Sequence, residues 1–276
     1  MKKFGLIGHP IAHSLSPFLF KAAYGGKHPY DLIEGDDFEK SYEIFLKEYD
    51  AINVTAPFKE KACAKADIRS QECEATGAAN ILIKRKDGQI EAANSDITGV
   101  LGSITSGIST QGMSTKALIV GCGGAAMAAA YATCMLGYET VILNRNIGKA
   151  QEFAKKLSQV PGFKVSAGGL DSFRGEFRKA GVIIYTLPLA ICQLDSLTGR
   201  DIRGGLFRKE RKVILEANYR DPALTQGIRQ EWLKTNPELT FISGKEWLLN
   251  QAVGAYRIFT GEDPDIEAMK MTVTGG

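Results

Sequence analysis

Apolar residues along this chain fall alternately into short unbroken runs and into helical spacing, and the two patterns take turns almost from end to end. Runs at 3–7, 30–33 and 51–54 predict strands, and periodic segments over 16–25, 37–48 and 57–64 predict helices. Ile81-Leu82-Ile83 and Gln89-Ile90-Glu91-Ala92 then flank the dipeptide Asp87-Gly88, which predicts a hairpin. Further strands are expected at 117–120, 139–143, 181–184, 212–215 and 240–243. A late helix is expected over 247–260, where Trp247, Leu248, Gln251, Ala252, Ala255, Ile258 and Phe259 recur at near-helical spacing. Such alternation belongs to α/β proteins with largely parallel sheets. From Thr98 to Lys116 the pattern thins into Gly, Ser and Thr, with few large apolar residues to tie it to one core, so a domain crossing is expected there.

The chain has 276 residues, enough for one large domain or two ordinary ones. Its 34 basic and 31 acidic residues leave a net charge of +3 without long runs of one sign, so no nucleic acid partner is expected. The first apolar run stops at Gly8-His9-Pro10, too soon for a signal segment, and no stretch reaches the length of a membrane span. Five cysteines, odd in number, lack Cys-x-x-Cys or histidine-paired spacing. They read as reduced thiols of a cytoplasmic protein rather than staples or metal ligands, and no metal is expected.

One lysine stands out by its place. The run Ala51 to Val54 leads to Thr55, a good N-cap residue, and then to Pro57, which suits a first helical turn. Lys59 then lies near the positive end of a helix, where a cation is disfavoured by roughly 0.3–1 kcal/mol. A group that exchanges protons with a substrate would explain the placement. A solvated surface lysine, continuing the polar face of Glu60, Lys61 and Lys65, is the ordinary alternative.

A second chemical signal follows the strand at 117–120. Gly121-Cys122-Gly123-Gly124-Ala125-Ala126 matches G-x-G-x-x-G/A, in which Gly121 makes the tight turn, Gly123 admits a pyrophosphate and Ala126 permits close packing of helix on strand. The helix that starts at Gly124 and Ala125 would offer free N–H groups to the phosphates. After the next strand, where an NAD-binding protein usually carries an acidic residue, this chain has Asn144-Arg145-Asn146, with Lys149 four positions beyond Arg145. Two cations without a carboxylate at that corner favour a 2′-phosphate, and hence NADP over NAD.

Other polar segments complete the picture: His13-Ser14-Leu15-Ser16-Pro17 after the first strand, Gly77-Ala78-Ala79-Asn80 before the hairpin, Asn94-Ser95-Asp96 after it, Tyr219 after a buried strand and Gln251 on the late helix. With Ile52-Asn53-Val54-Thr55-Ala56-Pro57-Phe58-Lys59 and the glycine turn, these motifs stand in the order and spacing of shikimate dehydrogenases, which the chain strongly resembles over nearly its whole length. The resemblance implies an NADP-linked oxidoreductase of aromatic amino acid and chorismate biosynthesis that reversibly reduces 3-dehydroshikimate to shikimate. It implies a catalytic pair at Lys59 and Asp96. Ser14 and Ser16 would hold the substrate carboxylate with Tyr219 nearby, and Thr55, Asn80 and Gln251 would hold the ring hydroxyls. NADP would be bound by Gly121, Gly123, Gly124, Ala125, Asn144, Arg145 and Lys149. A small polyol acid does need neutral donors and acceptors at several points, plus a group that handles one proton.

The expected fold is a two-domain α/β protein. Residues 1–97 and 247–276 would form an α/β substrate domain completed by C-terminal helices, and 98–246 a Rossmann-type, doubly wound NADP-binding domain, with substrate and nicotinamide meeting in a cleft that opens and closes. A monomer or a homodimer is expected.

Each polar residue also has an ordinary reading. Ser14 and Ser16 could cap the first helix, Asn80 and Asn94 could form turns, Asp96 could cap the helix after the hairpin, and Gln251 could lie on a helix surface. His9 and His13 are read as structural.

The chain departs from the family pattern in places. Tyr185-Thr186-Leu187-Pro188-Leu189 replaces N-A-T and the following G-M loop beside the nicotinamide, Ile97 stands for glycine, Asn146 ends the N-R-T motif, Glu216 replaces aspartate and Trp247 replaces methionine. An NAD-preferring quinate/shikimate dehydrogenase, or a non-catalytic dinucleotide-binding sensor on the same fold, are the alternatives.

Overall fold

A computed structural model describes residues 2–106, 111–204 and 210–274. The chain divides into two units, Met1–Gly99 with Leu248–Gly276, and Val100–Trp247. The first unit opens β1 (Phe4–Gly8), α1 (Ser16–Tyr24), β2 (Tyr30–Glu34), α2 (Phe38–Glu48), β3 (Ala51–Val54), α3 (Lys59–Lys65), β4 (Ile68–Arg69), α4 (Gln71–Thr76), β5 (Ile81–Lys84) and β6 (Ile90–Ala93). Next, α5 (Asp96–Thr105) carries the chain across the division. The second unit then runs β7 (Lys116–Val120), α6 (Gly124–Met135), β8 (Glu139–Leu143), α7 (Ile147–Leu157), β9 (Val165–Gly168), α8 (Phe173–Lys179), β10 (Val182–Tyr185), α9 (Gly199–Arg203), β11 (Lys212–Glu216), α10 (Gln226–Thr235) and β12 (Leu239–Ser243). Two helices, α11 (Gly244–Thr260) and α12 (Ile266–Thr274), end the chain.

The first sheet has the order β2-β1-β3-β5-β6-β4. Its β1 pairs in parallel with β2 and β3, whereas β5 is antiparallel to both β3 and β6. The tight β5–β6 connection is the expected hairpin, closed by Arg85 N–H donating to the Gln89 carbonyl at 2.9 Å. Successive side chains feed opposite cores, as strand geometry requires. Ile52, Val54 and Leu82 join Phe38, Phe45 and Phe58 on one face, while Phe4, Ala51 and Ile81 join Leu19, Phe20, Tyr256 and Met269 on the other.

In the second unit all strands are parallel, in the order β12-β11-β10-β7-β8-β9. This is the doubly wound arrangement, and strand order reverses between β7 and β10. The predicted α/β architecture with a Rossmann-type sheet is borne out.

Several local expectations are corrected. The helix after β3 begins at Lys59, with Phe58 at its cap position and no side-chain cap, so Thr55 does not cap it and Pro57 precedes it. The small-residue segment from Thr98 is helical as far as Thr105, because Ile97, Val100 and Ile104 bury one face. Residues 107–110 of that segment lie outside the described residues. On α11 the buried positions are Trp247, Leu249, Ala252, Ala255, Tyr256 and Phe259, and Ile258 is exposed. The helical spacing holds, but the face is rotated: Leu249 and Tyr256 enter the core, Leu248 packs against it only partly buried, and Ile258 is left outside.

Candidate active site

The carboxyl ends of the parallel pair β1 and β3 place the first candidates. Gly8 closes β1 directly beneath Thr55, where a Cβ would come within 2.3 Å of the Thr55 Cγ2, so only glycine permits this approach. Thr55 is held by its N–H donating to the Ile7 carbonyl at 2.9 Å, and its own carbonyl accepts from Phe58 N–H at 3.0 Å. Ser14 and Ser16 are half-buried with hydroxyls 3.1 Å apart. Neither caps α1 by its side chain; instead the Ser14 hydroxyl accepts the Ser16 N–H at 3.2 Å. Beneath them, the buried Tyr256 hydroxyl donates to the Ser16 carbonyl at 3.0 Å.

Lys59 is the first residue of α3, and its neighbour Phe58 is sunk in the core. The ammonium pairs directly with the Asp96 carboxylate, and their side chains are only 14% and 6% exposed. That burial removes the solvated-surface explanation for Lys59. Asp96 opens α5, and it is Asn94 rather than Asp96 that supports the helix start: Asp96 N–H donates to Asn94 Oδ1 at 3.1 Å, while Asn94 Nδ2 donates to the Ala78 carbonyl at 2.9 Å.

Asn80 joins this cluster from the start of β5. It lies at the bend before that strand and is only 2% exposed, so its amide is turned inward. Its Oδ1 accepts Ser95 N–H at 2.8 Å and its Nδ2 donates to Gln251 Oε1 at 3.0 Å, which brings α11 to the same patch. The Ala79 N–H also donates to the Lys59 carbonyl at 3.0 Å. Lys59, Asn80, Ser95, Asp96 and Gln251 therefore form one connected set within the first unit.

Sequence reasoning did not single out what lies behind that set. The Tyr30 hydroxyl donates to Asn53 Oδ1 at 2.8 Å, and Asn53 Nδ2 donates to the Asn80 carbonyl at 3.3 Å. Burial holds the Tyr30 phenol well above the ordinary tyrosine range. The one legible signal was an asparagine, Asn53, inside an otherwise apolar strand, since buried polar groups need partners.

In the second unit, Gly121 follows β7 with φ +117°, and a Cβ there would lie 2.4 Å from Thr186 Oγ1, so no other residue fits. Gly123 is the N-cap of α6 and has open space where a Cβ would be; Gly124 and Ala125 start the helix, whose first turn has no acidic residue and no side-chain cap. This cradle suits a pyrophosphate. Past β8, Asn144 Nδ2 donates to the Asn146 carbonyl at 3.1 Å, and Asn146 Oδ1 caps α7 by accepting Lys149 N–H at 3.0 Å. The Arg145 and Lys149 side chains are exposed.

Arg145 lines a cavity of about 470 Å³ with Ile147, Leu170, Asp171, Ile191 and Gln193. The corner is thus not free of carboxylate, as the sequence suggested; Asp171 reaches it from beyond β9, a strand whose position sequence alone did not reveal.

Tyr219 sits half-buried in the segment after β11, and burial pushes its phenol up. That segment is anchored by Glu216, 1% exposed, which accepts from Ala223 N–H, from Leu224 N–H at 3.2 Å and from Arg229 at 3.1 Å. Burial raises the Glu216 carboxyl, against the pull of those donors. Among the described residues no cluster of metal-ligating side chains occurs and no helix is long and apolar enough to cross a membrane.

Comparison with known proteins gives the family. Residues 6–82 match the shikimate dehydrogenase substrate binding domain model, and 248–274 match the shikimate 5'-dehydrogenase C-terminal domain model. The chain is 31% identical to the shikimate dehydrogenase (NADP(+)) of Methanothermobacter thermautotrophicus, over 96% of this chain and 93% of that protein. The chain belongs to the shikimate dehydrogenase family. Among solved members, the Thermus thermophilus enzyme in complex with shikimate superimposes with a TM-score of 0.79 at 27% identity, covering 99% of this chain and 98% of the other. The same enzyme in complex with NADP(H) and shikimate gives a TM-score of 0.78 at 26% identity, covering 99% and 98%. Family membership thus rests on the length of the chain rather than on its motifs alone.

Proposed function

We propose that this protein is an NADPH-dependent shikimate dehydrogenase that interconverts 3-dehydroshikimate and shikimate, with the first unit as the substrate domain and the second as the NADP-binding domain. The buried Lys59–Asp96 pair carries the reading, because a largely desolvated ammonium with one counter-ion, beside the amides of Asn80 and Gln251, is suited to a polar substrate that gains or loses one proton. NADPH supplies the hydride. As hydride reaches the carbonyl carbon, Lys59 hands a proton to the carbonyl oxygen, and the C=O bond becomes CH–OH; oxidation reverses both transfers. Asp96 holds the ammonium in place. Thr55, Asn80 and Gln251 orient the ring hydroxyls, and Ser14 and Ser16 take the carboxylate.

For the cofactor, the uncapped α6 N-terminus and the open face of Gly123 fit a pyrophosphate, and Arg145 fits a 2′-phosphate. Steady-state assays crossing shikimate and quinate with NADP and NAD test the proposal. Turnover of shikimate with NADP above the other three pairs is expected. Absence of shikimate-dependent reduction of either dinucleotide overturns it.

A further inference from the structure

Tyr185 ends β10 with its ring 1% exposed, yet its hydroxyl turns back to the chain just ahead of it and donates to the Leu189 carbonyl at 2.6 Å. Burial pushes this phenol up to about 12, so it remains a donor throughout the neutral range. The Leu189 side chain meanwhile is 71% exposed. A buried phenol therefore grips the backbone at Leu189, whose own side chain contributes little anchorage, between Leu187 and Ile191, which pack partly buried against the core.

A second grip comes from the segment after β11. Asn218 Nδ2 donates to the Pro188 carbonyl at 3.2 Å and to the Asp221 carbonyl at 2.6 Å, while its Oδ1 accepts Arg220 N–H and Asp221 N–H, both at 3.2 Å. The near end of the loop is fixed to the glycine turn: Thr186 Oγ1 donates to the Val120 carbonyl at 2.8 Å, and Leu187 Cδ2 stands 3.3 Å from where a Gly121 Cβ would lie. Strands β7 and β10 are the neighbours at which strand order reverses, and ligands of doubly wound sheets bind outside the carboxyl ends of the strands at that point. Loop 186–191 is thus one wall of that crevice.

We propose that Tyr185 and Asn218 are positioning residues that fix the 186–191 loop against the glycine turn and so set how tightly NADP(H) is held. The inference rests on the reading that the Gly121–Ala126 turn holds the dinucleotide. The polar ends of both side chains are spent on backbone carbonyls, Leu189 for Tyr185 and Pro188 and Asp221 for Asn218. Each acts through the backbone at Pro188 and Leu189, where a loop free to swing would have to be ordered on binding, at a cost to affinity.

The test is titration of the purified chain with NADP, alongside steady-state kinetics and thermal melts. Tyr185→Phe removes one hydroxyl, and Asn218→Asp keeps the Oδ1 acceptor but loses the amide donor. Each is expected to raise the Kd for NADP about fivefold, the size of the one hydrogen bond that each loses to the 186–191 loop. Because both grip one loop, the double variant should lose less than the product of the single losses. In Tyr185→Phe, the KM for NADP should rise while kcat and the KM for shikimate stay near wild type. A Tyr185→Phe protein that binds NADP as wild type does overturns the proposal, as does a loss of kcat that tracks the melting temperature with the KM for NADP unchanged. Wild-type protein that fails to bind NADP overturns the underlying reading first, and the proposal with it.

Discussion

Lys59 and Asp96, 37 positions apart in sequence, close into one buried ion pair at the starts of two helices, α3 and α5. Neither end is free to drift. Phe58 sinks the base of α3 into the core, and Asn94 ties the start of α5 to the Ala78 carbonyl. The pair is therefore preorganised before any substrate arrives, which is what a proton-transfer group requires.

Lys59→Ala should lower kcat by about 10²–10⁴-fold with little change in the KM for shikimate, since proton transfer is lost in the transition state rather than in ground-state binding. Steady-state kinetics in both directions check this. An unchanged kcat would remove Lys59 from the mechanism.

Gln251→Ala takes away the acceptor of the Asn80 amide and, on the proposed function, one donor for the substrate. The KM for shikimate should rise about tenfold, with the KM for NADP unaffected. A rise in both would show that the substitution disturbs α11 as a whole rather than removing a single hydrogen bond.

Arg145→Ala should weaken NADP by about ten- to a hundredfold and leave NAD nearly unchanged, because a charge-assisted bond to a phosphate is worth roughly 1.5–3 kcal/mol. Competitive binding of the two dinucleotides reads this directly. Equal losses for both would mean that Arg145 does not meet a 2′-phosphate.

Stability of the second unit should depend on pH through Lys212. It is 1% exposed, and its ammonium donates to the carbonyls of Phe177 (3.2 Å), Arg178 (2.9 Å) and Ala180 (2.6 Å). Burial nonetheless pulls it down from 10.5 to about 8. Between those two values the unfolded chain binds more protons than the folded one, so stability rises with pH. The penalty is full below about 8 and is relieved as pH climbs to 10.5. Measured against Lys212→Met, the melting temperature of the wild type should therefore gain between pH 8 and 10.5. A flat difference would refute it.

Much of the fold could be read from short stretches of chain. The unbroken run Ala117–Val120 and the glycines after it define a strand, turn and helix among themselves, because those propensities act between residues a few positions apart. The helical spacing of 247–260 was equally legible, but its inward face was not. Ile258 is as apolar as Leu249, and only packing against the first sheet selects Leu249 and Tyr256 for the core.

By itself the sequence determined the kinds of element, the glycine turn at Gly121 and the presence of a lysine near a helix start, since each is settled locally by steric and hydrogen-bonding preferences. Tertiary structure decided which of those groups meet. Asn80 and Gln251 are 171 positions apart, and Asp171 joins Arg145 only because β9 pairs beside β8. No local pattern specifies such contacts. They follow from burial of two sheet faces at once, which fixes register and so brings distant polar side chains within hydrogen-bonding reach.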